Sequence, residues 1–136
     1  MVEPGAVAPI RVVIADDDRH YLESLRELID RQPELSVVGA AHDGLEAVEL
    51  VEALSPEAAV IDLHMPLLDG VQALEQLRRR HPSLCLIALT GDPEPELRRA
   101  ATRAGADGVF LKSELVENLI DRLAALAEAP PTSDVG

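Results

Sequence analysis

Ala58-Ala59-Val60-Ile61-Asp62-Leu63-His64-Met65-Pro66-Leu67-Leu68-Asp69-Gly70 is the stretch that decides how the rest of the chain is read. A short apolar run ends on a carboxylate, and a proline and a glycine follow in the turn. A run of this length without polar alternation fits a strand covered on both faces, as strands of parallel sheets are. Three other segments repeat the design. Ile10–Ala15 ends in Asp16-Asp17-Asp18, residues 84–89 end in Thr90-Gly91, and residues 109–111 end in Lys112-Ser113. Each strand-like segment therefore delivers a polar group at its carboxyl end. In an open parallel sheet, ligands bind just beyond those ends, where the strand order reverses. Carboxylates, a hydroxyl and an ammonium gathered there point to a site for a cation and a phosphoryl group.

The segments between these runs have helical spacing. Leu22, Leu25, Leu28 and Ile29 share one face of a helix expected over 21–32, which Pro33 stops. A second strand is expected over Leu35–Ala41. Asp43 is placed to cap a helix striped by Ala47, Val48, Val51 and Leu54. Gly70–Arg80 turns Val71, Leu74 and Leu77 inward, and 96–104 shows a narrower face of Leu97, Ala100, Ala101 and Ala104. Ser113 is expected to cap a last helix with Leu115, Leu119, Ile120, Leu123 and Leu126 inward. Strand and helix alternate throughout, which predicts an α/β fold with helices on both faces of a parallel sheet. Residues 1–9 read as a flexible lead-in, 10–128 as one domain, and 129–136, with Pro130-Pro131, as a linker or disordered tail.

Bulk properties exclude several classes. The 136 residues suit one domain. With no Trp, one Tyr and one Phe, the core must be aliphatic. A formal charge of −13 repels nucleic acid, so direct nucleic-acid binding by this segment is not expected. The single Cys85 lies in an apolar run and reads as a buried free thiol, with no disulfide framework. No apolar run approaches membrane-spanning length and no signal-peptide pattern opens the chain, so no membrane association and a cytoplasmic location are expected.

Asp16, Asp17 and Asp62 would converge at the mouth of the sheet. Carboxylates at close range repel unless a cation screens them, and a hard divalent ion with oxygen ligands is the natural partner. Taken alone, Asp16 to Asp18 are explained equally well as a cap on the first helix. Asp62 beside them favours a metal site. Lys112 offers a point charge for a phosphate, and Thr90 a hydroxyl donor. The run Arg78-Arg79-Arg80 reads as a solvated helix end favoured by the dipole.

The set Ala15-Asp16-Asp17, Asp62-Leu63-His64-Met65-Pro66 with Asp69-Gly70, Leu89-Thr90-Gly91, and Gly105-Ala106-Asp107-Gly108 leading to Lys112 resembles the receiver domain of bacterial two-component response regulators. It is most similar to receivers of the NarL/LuxR-type class, and the likeness spans residues 10–126. The resemblance implies a flavodoxin-like (βα)5 doubly wound sheet with strand order 2-1-3-4-5. It implies a phosphorylation-dependent signalling switch, not a classical enzyme, that assists its own phosphorylation and dephosphorylation. Asp62 would accept a phosphoryl group from a sensor histidine kinase with Mg2+ (or Mn2+) present. Asp17 would ligate the ion directly, Asp16 largely through water, and Asp62 and the backbone carbonyl of His64 would complete the protein's share. Thr90 and Lys112 would bond the phosphoryl oxygens. The output would be a LuxR-type DNA-binding domain outside this chain, with a stand-alone regulator as the other explanation, and a homodimer on phosphorylation is left open.

The sequence departs from the family at the switch. Position 109, where the family usually carries Tyr or Phe, holds Val109. Phe110 is next to it, but adjacent strand residues point to opposite faces. Thr90 is then expected to carry the switch without the aromatic. Ser113 replaces a common proline, so a trans bond after Lys112 is expected. His64 and Asp92 fall at the rim of the site. Two other readings stand beside this one. A phosphorylation-independent receiver-like interaction module would fit Val109. A haloacid-dehalogenase-like phosphatase would use the Asp-x-Asp at Asp16 to Asp18, but leaves Asp62 and its turn without a role.

Overall fold

The computed structural model describes residues 8–65, 69–92, 94–114 and 116–128. Residues 1–7 of the expected lead-in over 1–9, the tail over 129–136 and the expected inward positions Leu115 and Leu126 lie outside that description or have no described side chain. Strands β1 (Ile10–Ala15), β2 (Leu35–Ala41), β3 (Ala58–Asp62), β4 (Cys85–Thr90) and β5 (Gly108–Leu111) alternate with helices α1 (Arg19–Asp30), α2 (Gly44–Leu54), α3 (Gly70–Arg80), α4 (Pro95–Ala104) and α5 (Val116–Glu128). All strand pairs are parallel and the order is β2-β1-β3-β4-β5, as expected.

Two aliphatic clusters sandwich the sheet. Val13, Ala15, Ala59, Ile61, Leu86 and Ala88 face Ala47, Val51, Leu74, Leu77 and Ala101 of α2, α3 and α4. Their strand neighbours Val12, Ile14, Val60, Ile87 and Leu89 face Leu22, Leu25, Ile29, Leu119 and Leu123 of α1 and α5. Strand residues alternate in direction, so every strand feeds both layers. The two helices on one face flank the three on the other because the chain reverses its direction of travel after β2. That reversal lies between β1 and β3, the usual site for a ligand in this architecture.

Local chemistry sets the helix boundaries. Asp18 caps α1 by accepting from the backbone N–H groups of His20 and Tyr21, so the helix starts at Arg19, two residues before the periodicity suggests. It ends at Asp30, short of Pro33. Gln32 N–H turns back to Ile29 O, and the Asp30 carboxylate accepts from Val37 N–H, beside the irregularity in the β1–β2 register. Asp43 and Asp69 cap α2 and α3. Ser113 lies in a turn and α5 begins at Val116, so the helix starts later than a cap at Ser113 would set it. No peptide bond is cis among the described residues, in keeping with the trans bond expected before Ser113.

Two expectations are corrected. Cys85 is half-buried, not buried, because it opens β4 at the amino edge of the sheet; burial and the nearby Asp107 still push its thiol pKa up. Arg78 is not a solvated helix end. Its guanidinium donates to the carbonyls of Gly105, Pro82 and Leu84, and to the Asp107 carboxylate at 2.8 Å. Asp107 in turn accepts from Leu86 N–H at 2.9 Å, which ties α3, β4 and the α4–β5 loop together. Gly105, with φ of 119°, leaves room for Arg78, whose side chain a Cβ would strike. Arg79 and Arg80 are exposed, as expected. Arg78→Met removes the guanidinium donor from those carbonyls and leaves the Asp107 carboxylate with Leu86 N–H alone, and is expected to lower urea-unfolding stability by about 2 kcal/mol or more. Arg79→Ala is expected to stay within about 0.5 kcal/mol of the parent. Equal effects from the two substitutions would contradict the assignment.

Candidate functional site

Strand register gathers the site. Ala15 pairs with Ile61, so Asp16, one residue beyond β1, lies beside Asp62 at the end of β3. Asp62 pairs with Leu89 and Thr90 with Leu111, so Thr90 and Lys112 stand one step further along their strands in the same layer. Leu63 N–H bonds Leu89 O and Lys112 N–H bonds Thr90 O, which extend the ladders under the site. Gly70 closes the turn after Asp62. A Cβ there would collide with the Asp62 carbonyl oxygen and the Leu63 Cα, so only glycine allows α3 to start against the strand end.

Asp16, Asp62 and Thr90 are buried, each 1% exposed or less, and among the described residues they are the polar side chains within an otherwise apolar core. Asp17 is exposed. Oxygens of Asp16, Asp17 and Asp62 come within 4.8 Å of one another. The run of three aspartates is thus divided. Asp18 caps the helix, Asp17 and Asp16 face the site, and Asp16 Oδ1 also accepts from Asp18 N–H at 2.9 Å. Lys112 Nζ stands 2.6 Å from Asp16 Oδ2 and 3.5 Å from Asp62 Oδ2. Asp62 Oδ1 is buried without a hydrogen-bond partner. An orphaned carboxylate oxygen facing two further carboxylates suits a hard cation with oxygen ligands.

The electrostatics follow from this crowding. Burial raises the Asp62 pKa from 3.8 to about 6, the Asp16 charge adds to the rise, and Lys112 opposes it. Burial acts against the charged form of Lys112, but Asp16 and Asp62 outweigh it and its pKa is raised. The Lys112 ammonium also lies over the ring of Tyr21, 4.7 Å from its centroid. Burial pushes the Tyr21 phenol pKa up, so the ring is neutral.

Thr90 Oγ1 accepts from Asp92 N–H at 3.0 Å and approaches His64 Nε2 at 3.5 Å. The hydroxyl is thus tied to its own loop and lies across the rim from His64, whose side chain is exposed. Val109 packs half-buried with the α2, α3 and α4 cluster, whereas Phe110 packs on the α1 and α5 side. The two adjacent side chains do point to opposite faces, so Phe110 does not stand in for an aromatic at 109. A cavity of about 570 Å3 at the opposite end of the sheet, bordered by Ile10, Arg80, His81 and Cys85, gathers none of these groups.

Residues 12–124 match the family described as the response regulator receiver domain. The chain belongs to the response regulator receiver family. It is similar to the response regulator MprA of Mycobacterium ulcerans, with 36% identity over 92% of this chain and 53% of that protein. It is 31% identical to the transcriptional regulatory protein DegU of Brevibacillus brevis, over 88% of this chain and 50% of that one. The chain thus spans about half the length of the curated relatives it matches. The signal receiver domain of the putative response regulator NarL from Mycobacterium tuberculosis superposes with a TM-score of 0.84 at 27% identity, covering 91% of this chain and 100% of that one. Receivers are signalling proteins and not classical enzymes, which removes the phosphatase reading. No helix among the described residues is long and apolar enough to cross a membrane.

Strand-end reading found Asp16, Asp17, Asp62, Thr90 and Lys112, and the structure brings all five together. It missed Tyr21. The only sequence signal was the single tyrosine of the chain lying three residues after a helix cap. The raised Asp62 pKa has a thermodynamic consequence. A carboxyl that holds its proton more tightly folded than unfolded costs stability once ionised. The cost is absent below about pH 4 and complete above about pH 6. Asp62→Asn is therefore expected to melt higher than the parent near pH 7 in the absence of Mg2+, by on the order of 3 kcal/mol at most. The gap should close as pH falls through that window. A lower melting temperature for the variant near pH 7 would contradict the crowding.

Proposed function

We propose that this receiver is a phosphorylation-controlled switch with Asp62 as phosphoacceptor. The observation that carries the reading is the buried, partly orphaned Asp62 carboxylate, gathered with Asp16 and Asp17 and approached by the Lys112 ammonium that also bonds Asp16. An Asp62 oxygen attacks the phosphorus of a phosphohistidine on a sensor histidine kinase. The P–N bond breaks, its electron pair returns to the imidazole, and the imidazole takes a proton from solvent. Phosphoryl transfer needs chiefly alignment and neutralisation of spreading negative charge. Asp16, Asp17, Asp62 and the His64 backbone carbonyl would hold Mg2+ (or Mn2+). The ion would screen the carboxylates and supply positive charge to the phosphoryl oxygens. Lys112 would supply a further positive charge, and Thr90 a hydroxyl donor.

An acyl phosphate on Asp62 adds charge and acceptor oxygens beside Thr90. The hydroxyl then leaves Asp92 for a phosphoryl oxygen and draws its loop inward, remodelling the start of α4. Val109 leaves Thr90 as the moving half of the switch. The same site slowly hydrolyses its own acyl phosphate. The wider protein would couple this event to a DNA-binding output of the LuxR type outside this chain, in the cytoplasm, with dimerisation as one route. In this reading residues 1–9 are a lead-in, 10–128 the receiver and 129–136 a linker or tail. A phosphorylation-independent interaction module is the second reading, and Val109 is the observation that favours it.

Intact-mass analysis after acetyl phosphate and Mg2+ tests the first reading. The parent chain is expected to gain one phosphoryl group, Asp62→Ala none, and chelation of divalent ions should abolish the gain. Labelling of Asp62→Ala at the parental rate would overturn it. His64→Ala tests the rim separately. If His64 steers attacking water across Thr90, the lifetime of the acyl phosphate changes; an unchanged lifetime makes His64 a solvated loop residue.

A further inference from the structure

We propose that Tyr21 is a positioning residue for Lys112, its ring face forming the third wall of a cradle whose other walls are Asp16 and Asp62. The inference deepens the phosphoacceptor reading of Asp62 and rests on it. Lysine is a compact charge on a flexible four-carbon stem, and holding it in one place costs rotamer entropy. Lys112 sits within 4 Å of two carboxylates, but those partners are not constant. A divalent ion on Asp16 and Asp62 neutralises them, and an acyl phosphate converts one of them. The attraction of an aromatic face for an ammonium is consumed by neither event. The ring, 4.7 Å from Nζ, is thus the one wall that acts on Lys112 in every state of the site.

The fold fixes the ring with some care. Asp18 Oδ1 accepts from Tyr21 N–H at 3.2 Å, so the α1 cap that frees Asp16 and Asp17 for the site also sets where Tyr21 points. The body of the ring packs on the cluster beneath α1 and α5, next to β1. The ammonium of Lys112, whose side chain is 23% exposed, lies between that ring and the carboxylates. A bland alternative exists in which Tyr21 only fills space in that cluster, and it makes different predictions.

The test uses the whole chain with acetyl phosphate at saturating Mg2+, followed by intact mass. Tyr21→Leu keeps apolar bulk and loses the aromatic face, and its phosphorylation rate is expected to fall about fivefold. Tyr21→Phe keeps the face and is expected to restore the rate. In a Lys112→Ala background, Tyr21→Leu should have no further effect. Nuclear magnetic resonance supplies a readout that space-filling would not move. The Lys112 Cε protons are expected to lie upfield through the ring current in the parent and in Tyr21→Phe, and to return to ordinary positions in Tyr21→Leu. A parental rate for Tyr21→Leu, an equal loss without Lys112, or unshifted Lys112 protons in the parent would each overturn the proposal. Asp62→Ala run alongside separates the two claims. Label on Asp62→Ala overturns the phosphoacceptor reading, whereas normal labelling of Tyr21→Leu with none on Asp62→Ala overturns only the role of Tyr21.

Discussion

Two buried carboxylates held side by side dominate this molecule. Asp16 and Asp62 are neighbours because Ala15 and Ile61 are paired in the sheet, and both side chains are almost wholly out of water. Burying charge without full compensation is costly, and the structure compensates only in part. Lys112 approaches both groups, Asp18 N–H reaches Asp16, and one oxygen of Asp62 has no partner. What stabilises the arrangement is the aliphatic sheet beneath it, whose strands meet helices on both faces. The remainder of the site follows from the imbalance. In the proposed function a cation would relieve it, and a phosphoryl group beside that cation would find Lys112 and Thr90 already at hand.

The same imbalance links chemistry to signalling. Thr90 is buried at the end of β4, and its hydroxyl bonds its own loop through Asp92 and reaches His64 across the rim. New acceptor oxygens on Asp62 would compete for that hydroxyl, and the loop leads directly into α4. The opposite end of the sheet is built the other way. There Arg78 satisfies several carbonyls and Asp107 at once. At that end one side chain ties α3, β4 and the α4–β5 loop together, whereas at the other end one Asp62 oxygen has no partner.

The sheet and most of the site were legible because they depend on strand periodicity and on what ends each strand. Asp62, Thr90 and Lys112 each follow an apolar run, and parallel pairing does the rest. Features that depend on which side chains meet across the fold were not legible. Nothing in Asp16-Asp17-Asp18 tells which member caps α1 and which enter the site; the structure assigns Asp18 to the cap. Arg78 has the same local setting as Arg79 and Arg80, and only its position on α3 turns it toward Gly105 and Asp107. Cys85 lies in an apolar run, yet it opens its strand at the sheet edge and stays half-exposed. The approach of Tyr21 to Lys112 joins the first helix to the last strand, a contact no local pattern reports.

Everything in this account depends on Asp16, Asp17 and Asp62 acting together on one divalent ion. Calorimetric titration of Mg2+ into the parent chain and into Asp17→Asn and Asp62→Asn measures that directly. The account predicts one site in the parent and weakened binding in both variants, although the substituted residues come from different strand ends. Mg2+ binding that is absent from the parent, or unchanged in either variant, would contradict it.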